Sequence, residues 1–118
     1  MPTDTLSTTL SALADPTRRA LLSRLIRKNA PVGELAEPFD MSLAAVSKHL
    51  QVLERAGLIS RTRDAQWRVL ELQPRPLREV DKWLNAYRHF WERSLDSLEV
   101  VIAELHPPKK KSTRRKAP

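Results

Sequence analysis

The chain has 118 residues, no cysteine, 21 basic and 14 acidic side chains, and a formal net charge of +7 at pH 7. This length suits a single domain, and the lack of cysteine excludes disulfides and thiolate metal sites. No apolar run is long enough to span a bilayer and no signal-peptide pattern opens the sequence, so we expect a soluble cytoplasmic protein with no membrane partner.

Two helices are predicted at the start of the chain. Residues 4–14 form the first, with Leu6 and Leu10 on one side. Asp15 and Pro16 begin the second, because Asp is a favoured N-cap and a proline at the first helical position sacrifices no hydrogen bond. The predicted buried stripe of this second helix consists of Leu21, Leu22, Leu25 and Ile26.

A helix-turn-helix pattern follows. A short helix over residues 32–37 is stopped by Pro38, and a turn leads to a recognition helix that has Ser42 as its N-cap and ends at Gly57. Apolar residues recur in this helix at steps of three and four, which predicts a core-facing stripe of Leu43, Val46, Leu50 and Leu53.

The opposite face of the recognition helix is small near its start and polar or basic further on. Small side chains allow close approach to base edges, and Lys, Gln and His can hydrogen-bond to bases or phosphates. The predicted DNA contacts on this helix are Ser42, Ala44, Ala45, Ser47, Lys48, His49 and Gln51. Ser47 and His49 lie on the flanks and could face the core instead, and Gln51 could meet the DNA backbone or solvent. The alternative is an ordinary amphipathic helix followed by an ordinary hairpin.

An arginine-rich hairpin is predicted directly after this helix, with its turn near Asp64 and Ala65. Such a hairpin would be the wing of a winged helix-turn-helix, and Trp67 on its second strand is expected to pack rather than to stack on bases. The wing candidates for DNA are Arg61, Arg63, Gln66 and Arg68. Strand alternation places some of these on the wrong side, so about two of the four should touch DNA.

One long helix is predicted over residues 76–105, roughly 45 Å in length at ~1.5 Å per residue. One small domain cannot cover all the apolar residues of this helix. We therefore expect a homodimer in which the first helix also takes part. The alternative is a helix that folds back on its own domain. The predicted dimer residues are Leu6, Leu10, Leu84, Tyr87, Trp91, Leu95, Leu98 and Ile102.

The basic charge is concentrated at the end of the chain. Residues 107–118 contain six basic residues and no acidic one, whereas residues 1–106 contain 15 basic and 14 acidic residues. We therefore predict a folded domain over residues 1–106 and a disordered basic tail over residues 107–118, which would strengthen binding to any DNA. Residues 42–68 still hold five basic residues against two acidic ones, so the proposed DNA face is positive.

Several segments together resemble the ArsR-type winged-helix repressors. They are LSALADPTRRALLSRL, VGELAEPFDMS, AVSKHLQVLERAGLI and RDAQWRVLEL, in that order within residues 6–105. The resemblance implies a mostly α fold with a small β-hairpin, a winged helix-turn-helix with a long C-terminal dimerisation helix. It also implies a homodimer that places two recognition helices in successive major grooves of a pseudo-palindromic operator, represses its own operon and releases double-stranded DNA on a signal.

The sequence departs from the metal-sensing members of that family. It has no cysteine in the third helix, and the acids and histidines of its last helix do not have the spacing of the zinc-sensing members. His89 and Glu92 alone could share a helix face, which is weak evidence for a site. We predict no metal and no cofactor, and the effector is unknown. The alternatives are a metal or small-molecule sensor, or a winged-helix protein-interaction module that touches DNA only through its tail.

An enzyme is not expected. Ser42, Ser47 and His49 are close in sequence but lie on a surface helix rather than in a pocket, with no evident buried acid to orient the histidine. With only two glycines in the chain, a glycine-rich phosphate loop is absent.

Overall fold

The computed structural model describes residues 4–105, which form six α-helices and one antiparallel hairpin. This arrangement confirms the predicted mostly helical fold with a small β-hairpin. The predicted tail, residues 107–118, lies outside the described residues. In chain order the elements are α1 Thr5–Leu13, α2 Pro16–Arg27, α3 Val32–Ala36, α4 Leu43–Arg55, β1 Ile59–Asp64, β2 Trp67–Leu72, α5 Arg75–Asn85 and α6 Arg88–Leu105. The chain divides into two compact units, one ending at Lys82 and the other starting at Trp83.

Side-chain caps define the starts of the first two helices. Asp4 accepts a hydrogen bond from the backbone N–H of Ser7 at 3.2 Å, and Asp15 accepts one from the backbone N–H of Arg18 at 3.0 Å. Pro16 occupies the first turn of α2, as predicted. These bonds satisfy amide groups that would otherwise lack a partner at the helix ends, so both helices begin where the sequence predicts.

The core of the first unit lies between α1, α2, α3, α4 and the hairpin. Ala30, in the connector between α2 and α3, exchanges two backbone hydrogen bonds with Leu70 of β2, at 3.2 Å and 2.8 Å, and so ties this connector to the hairpin. Burial of each large aliphatic side chain contributes about 1.5–3 kcal/mol relative to leaving it exposed. The fully buried large side chains are Leu21, Leu35, Leu50, Leu53, Leu58, Ile59, Leu70, Val46 and Thr9.

The end of α4 is a Schellman motif. Gly57 has a φ of 76° and its N–H donates to the carbonyl of Glu54, while the N–H of Leu58 donates to the carbonyl of Leu53, each at 3.0 Å. Leu53 and Leu58 are both fully buried, which adds the hydrophobic contact that often accompanies this motif. The predicted helix end at Gly57 is thus confirmed, and the chain enters β1 directly.

The hairpin turn lies one residue later than predicted. Asp64 pairs with Trp67, so the two-residue loop is Ala65 and Gln66 rather than Asp64 and Ala65. Ala65 has a φ of 60°, the left-handed conformation that two-residue hairpin loops need at their first position. Nothing in the sequence signals this turn, because alanine is not a residue that favours positive φ.

Three apolar residues predicted to pack in the core are exposed. The exposed fractions are 66% for Ile26, 56% for Leu43 and 63% for Trp67. Each lies at the end of its element: Ile26 in the last turn of α2, Leu43 in the first turn of α4, and Trp67 beside the hairpin turn. Periodicity identifies the apolar face of an element but not where along that face the neighbouring elements stop.

The predicted single helix over residues 76–105 is wrong, because the helix is interrupted at Ala86 and Tyr87. There the N–H groups of Ala86 and Tyr87 donate to the carbonyls of Trp83 and Leu84, at 3.2 Å and 2.9 Å. These bonds span three residues instead of four, which tightens the chain and separates α5 from α6. The apolar spacing continues across the interruption without a glycine or proline, so the sequence carries no signal for it.

The second unit contains the last turn of α5 and all of α6. The rings of Trp83 and Tyr87 meet edge to face, with centroids 5.7 Å apart. Helix α6 has 18 residues and none of them is buried. Among residues 4–105, no helix is both long enough and apolar enough to cross a membrane.

Candidate nucleic-acid interface

Helix α4 presents the predicted small and polar face to solvent. The hydroxyl of Ser42 accepts a hydrogen bond from the backbone N–H of Ala45 at 3.1 Å, which confirms Ser42 as the N-cap. Ala44, Lys48 and Gln51 are exposed, at positions three and four apart on one face of the helix. Ala45 and Ser47 are half-buried on its two flanks.

His49 lies against the start of α2, within the same unit. Its Nδ1 is 3.3 Å from an Nη of Arg18 and 3.8 Å from a carboxylate oxygen of Asp15. A guanidinium can only donate, so Nδ1 is the acceptor in the contact with Arg18. The sequence spacing did not indicate Asp15 as a neighbour of this histidine, and its carboxylate, with the side chain 31% exposed, is not a buried acid.

Two arginines of α2 satisfy the carbonyl groups at the end of α1. Arg18 donates to the carbonyls of Ala12 at 2.7 Å and Ser11 at 3.2 Å, and Arg19 donates to that of Leu13 at 2.7 Å. A cation at a helix C-terminus also interacts favourably with the helix dipole. Arg18 therefore links α1, α2 and α4.

The same cluster lowers the pKa of Asp15. The largest cause is the hydrogen bond from the backbone N–H of Arg18, followed by partial burial, which acts in the opposite direction. Electrostatic interactions with His49 and with the guanidinium of Arg18 then lower the pKa further. Asp15 is therefore held in its charged form, as expected for a helix N-cap that accepts a backbone hydrogen bond beside a guanidinium.

The arginines of the hairpin share one face. Arg61 and Arg63 are two residues apart on β1, and Arg63 pairs directly with Arg68 on β2. They line a cleft of about 260 Å³ together with Thr62. Nε of Arg61 is 3.2 Å from a carboxylate oxygen of Glu54 on α4, whereas Gln66 is exposed in the turn itself.

The recognition-helix candidates and the hairpin arginines both lie in the first unit, and the ion pair of Arg61 with Glu54 joins the hairpin to α4. The partnership of Arg61 with Glu54 could not be found from sequence spacing alone. It joins two elements through an intervening turn, and the turn geometry decides whether the side chains meet. The same is true of His49 and Arg18, which are 31 residues apart in the sequence.

Comparison with known proteins identifies the family. A family model described as "Helix-turn-helix domain" matches residues 13–62. The HTH-type transcriptional regulator Rv2034 of Mycobacterium tuberculosis is 42% identical over 91 residues, which is 77% of this chain and 82% of that protein. A crystal structure of an ArsR family transcriptional regulator is 42% identical and covers 75% of this chain and 98% of its own, with a TM-score of 0.68. The chain belongs to the ArsR-type winged helix-turn-helix family.

A second relative extends the comparison. The transcriptional repressor SdpR of Bacillus subtilis is 34% identical over 73 residues, which is 62% of this chain and 81% of SdpR. As a member of this family the chain is a DNA-binding transcriptional regulator. In the terms of that family, α4 is the recognition helix and the β1–β2 hairpin is the wing.

The residues predicted for the dimer interface are accessible in each unit. On α1, Leu6 is half-buried and Leu10 is 36% exposed. In the second unit, Leu84 and Trp91 are half-buried. The other four predicted residues are more exposed, at about 50%: Tyr87, Leu95, Leu98 and Ile102. The exposed apolar residues of α6 also include Phe90, Val100, Val101 and Leu105.

The family's metal-sensing sites have no counterpart in the part of the chain that the structure describes. No group of three or more His, Asp or Glu residues between residues 4 and 105 is arranged to hold a metal ion. His89 and Glu92 line the same shallow cleft on α6, with Arg93 beside them. A neighbouring guanidinium disfavours a cation there, so this pair gives no support for a metal site.

Proposed function

We propose that this regulator is a homodimeric repressor that binds a pseudo-palindromic DNA operator and releases it in response to a signal. The observation that carries the proposal is the exposed face of α4, on which the predicted contacts Ala44, Lys48 and Gln51 follow a capped N-terminus. Side chains near the start of a recognition helix are those that reach base edges in the major groove. We assign Ser42, Ala45 and Ser47 to the edges of the same contact.

His49 is assigned a positioning role together with a polar contact to DNA. Its Nδ1 is engaged with Arg18, which orients the ring relative to α2. The other ring nitrogen, Nε2, then carries the proton and is a hydrogen-bond donor suited to a phosphate oxygen.

The wing supports a contact with the DNA backbone. Arg63 and Arg68 are directly opposite each other, and like charges at such positions destabilise a hairpin by roughly 0.2–1 kcal/mol. A phosphate between them would remove this repulsion. Arg61 can join them, because its exposed ion pair with Glu54 contributes only about 0–1 kcal/mol and exchanges readily for a phosphate. Gln66, at the tip of the turn, is assigned to the adjacent groove.

Dimerisation is supported by α6. An 18-residue helix with no buried residue and a row of half-exposed aliphatic side chains needs another surface to cover it. A twofold dimer supplies that surface from an identical helix and would present two recognition helices about one or more helical turns apart on DNA. Leu6 and Leu10 of α1 are proposed to contribute to the same interface.

Repression and location are proposed from the relatives. SdpR is named a transcriptional repressor and is 34% identical to this chain over 73 residues. A regulator of this kind acts where the DNA is, which is the cytoplasm in the bacteria from which the relatives come. We further propose that residues 1–106 are the DNA-binding and dimerisation domain. The six basic residues of residues 107–118 would add nonspecific affinity.

The test is a binding titration of the full chain on DNA from its own upstream region and on scrambled DNA, at two salt concentrations. Lys48→Ala should weaken binding to the preferred DNA by about tenfold, which corresponds to ~1.4 kcal/mol, and reduce the preference over scrambled DNA. Arg63→Ala combined with Arg68→Ala should weaken binding to both DNAs and reduce the salt slope by about two.

Arg27→Ala is the matched control, because Arg27 is an exposed cation on α2, outside α4 and the wing. It should leave the preference unchanged. Equal, salt-sensitive binding to upstream and scrambled DNA would contradict an operator upstream of its own gene. Selection of a binding site from random DNA would then show whether any sequence is preferred, and no preference at all would refute sequence-specific binding.

A further inference from the structure

The start of the recognition helix carries an apolar tip. Leu43, the first residue of α4, is 56% exposed, and Met41 on the other side of the Ser42 cap is 36% exposed. The next residue, Ala44, is also exposed. No long polar side chain lies in this first turn, whereas Lys48, Gln51 and Arg55 follow on the later turns.

Leu43 is exposed because the core ends one turn further along the helix. Val46, three residues later, is fully buried, and so is Leu50, but residues 4–82 leave more than half of Leu43 exposed. The position of Leu43 is nevertheless well defined. The helix start is held by the bond from the backbone N–H of Ala45 to the Ser42 hydroxyl and by the bond from the N–H of Val46 to the Ser42 carbonyl, at 3.0 Å.

A leucine cannot form hydrogen bonds with base edges. In the major groove the one apolar feature that distinguishes a base pair is the C5-methyl group of thymine, and aliphatic side chains recognise it by contact. An exposed leucine at the first position of a recognition helix therefore matches thymine and no other base. Removal of such a methyl group from the interface changes affinity by about fourfold, which corresponds to ~0.8 kcal/mol for one buried methyl or methylene group.

We propose that Leu43 is a specificity-determining residue that packs against the methyl group of one thymine in each half-site of the operator. This inference rests on the proposed function, because it requires that α4 enters the major groove. It adds to that function a preference at a defined base position that no charged or polar residue of α4 supplies.

The experiment replaces each thymine of the selected binding site by deoxyuridine, one position at a time, which removes only the methyl group. The full chain should lose about fourfold in affinity at one thymine per half-site, and the remaining replacements at the α4 contact should have little effect. Leu43→Ala should bind the unmodified site more weakly by a similar factor and should no longer respond to deoxyuridine at that position. Leu43→Met keeps an aliphatic contact and should retain most of the response.

The control is Ile26→Ala, which removes a still more exposed aliphatic side chain from α2. It should keep the full response to deoxyuridine. Since Leu43 is exposed, its replacement should leave the melting temperature nearly unchanged, so a loss of response is not a loss of folding. A response that persists in Leu43→Ala, or specific binding that is insensitive to every thymine methyl, would overturn this inference alone. The absence of any preferred site would overturn it together with the proposed function.

Discussion

The recognition helix and the last helix use their apolar residues in opposite ways. In α4, Val46, Leu50 and Leu53 are fully buried by elements of the same chain. In α6 the spacing is equally regular, but Leu95, Leu98 and Ile102 remain about half exposed. Helix α4 is positioned by its own unit, whereas α6 has an apolar face that its own unit leaves exposed. Amphipathic spacing thus predicts an apolar face, and the surrounding structure determines whether that face is core or interface.

The largest effect on stability is expected from a substitution on the buried face of α4. Leu50→Ala should lower the free energy of unfolding by about 2–5 kcal/mol, because it removes buried methyl groups and leaves a cavity. Urea unfolding at a fixed protein concentration measures this loss. Leu43→Ala on the same helix is the control and should change the free energy by no more than about 0.5 kcal/mol. Equal losses for the two variants would show that the burial pattern of α4 is wrong.

The exposed face of α6 should affect assembly rather than folding. Leu98→Glu should raise the dimer dissociation constant on the order of 100-fold, since a twofold interface would bury two unpaired carboxylates. Sedimentation velocity at micromolar concentration would show the shift to monomer. Ser97→Glu adds the same charge to an adjacent exposed position and should leave the dimer intact. A wild-type chain that sediments as a monomer would contradict the homodimer, and identical behaviour of the two variants would exclude Leu98 from the interface.

A smaller effect on stability is expected from the hydrogen bonds that Arg18 donates to the end of α1. Arg18→Ala should lower the free energy of unfolding by about 2 kcal/mol, because the carbonyls of Ala12 and Ser11 lose a charged donor. Thermal or urea unfolding measures this difference. Arg19→Ala loses a single bond to the carbonyl of Leu13 and should cost less than half as much. If both variants are equally stable, Arg18 does not hold α1 to the remainder of the unit.

The smallest effect concerns the wing, where the first unit contains a strained turn. Ala65→Gly should raise the free energy of unfolding by about 0.5–1 kcal/mol, because glycine adopts the positive φ of this position without the steric penalty of a Cβ atom. Ala20→Gly, at an exposed position within α2, is the control and should lower it by a similar amount. A decrease for both variants would show that Ala65 is not in the left-handed conformation.

The local features of this chain could be predicted from its sequence. Asp15 with Pro16, Ser42 and Gly57 specify helix ends through hydrogen bonds within a few residues, so a short segment contains all the partners that matter. The three- and four-residue spacing of Val46, Leu50 and Leu53 identified the buried face of α4, and the same reasoning identified the exposed face with Lys48. The overall fold class followed from these signals and from the resemblance to the ArsR-type family.

Only the tertiary structure decided the features whose partners are distant in the sequence. The contact of His49 with Arg18 and Asp15 joins residues more than 30 positions apart, and no periodicity encodes it. The exposure of Leu43 and Trp67 depends on where neighbouring elements end. The interruption after α5 depends on backbone hydrogen bonds, and no glycine or proline in the sequence indicates it. Sequence determined the faces and ends of the helices because these are short-range properties, whereas burial and side-chain partnership are properties of the assembled fold.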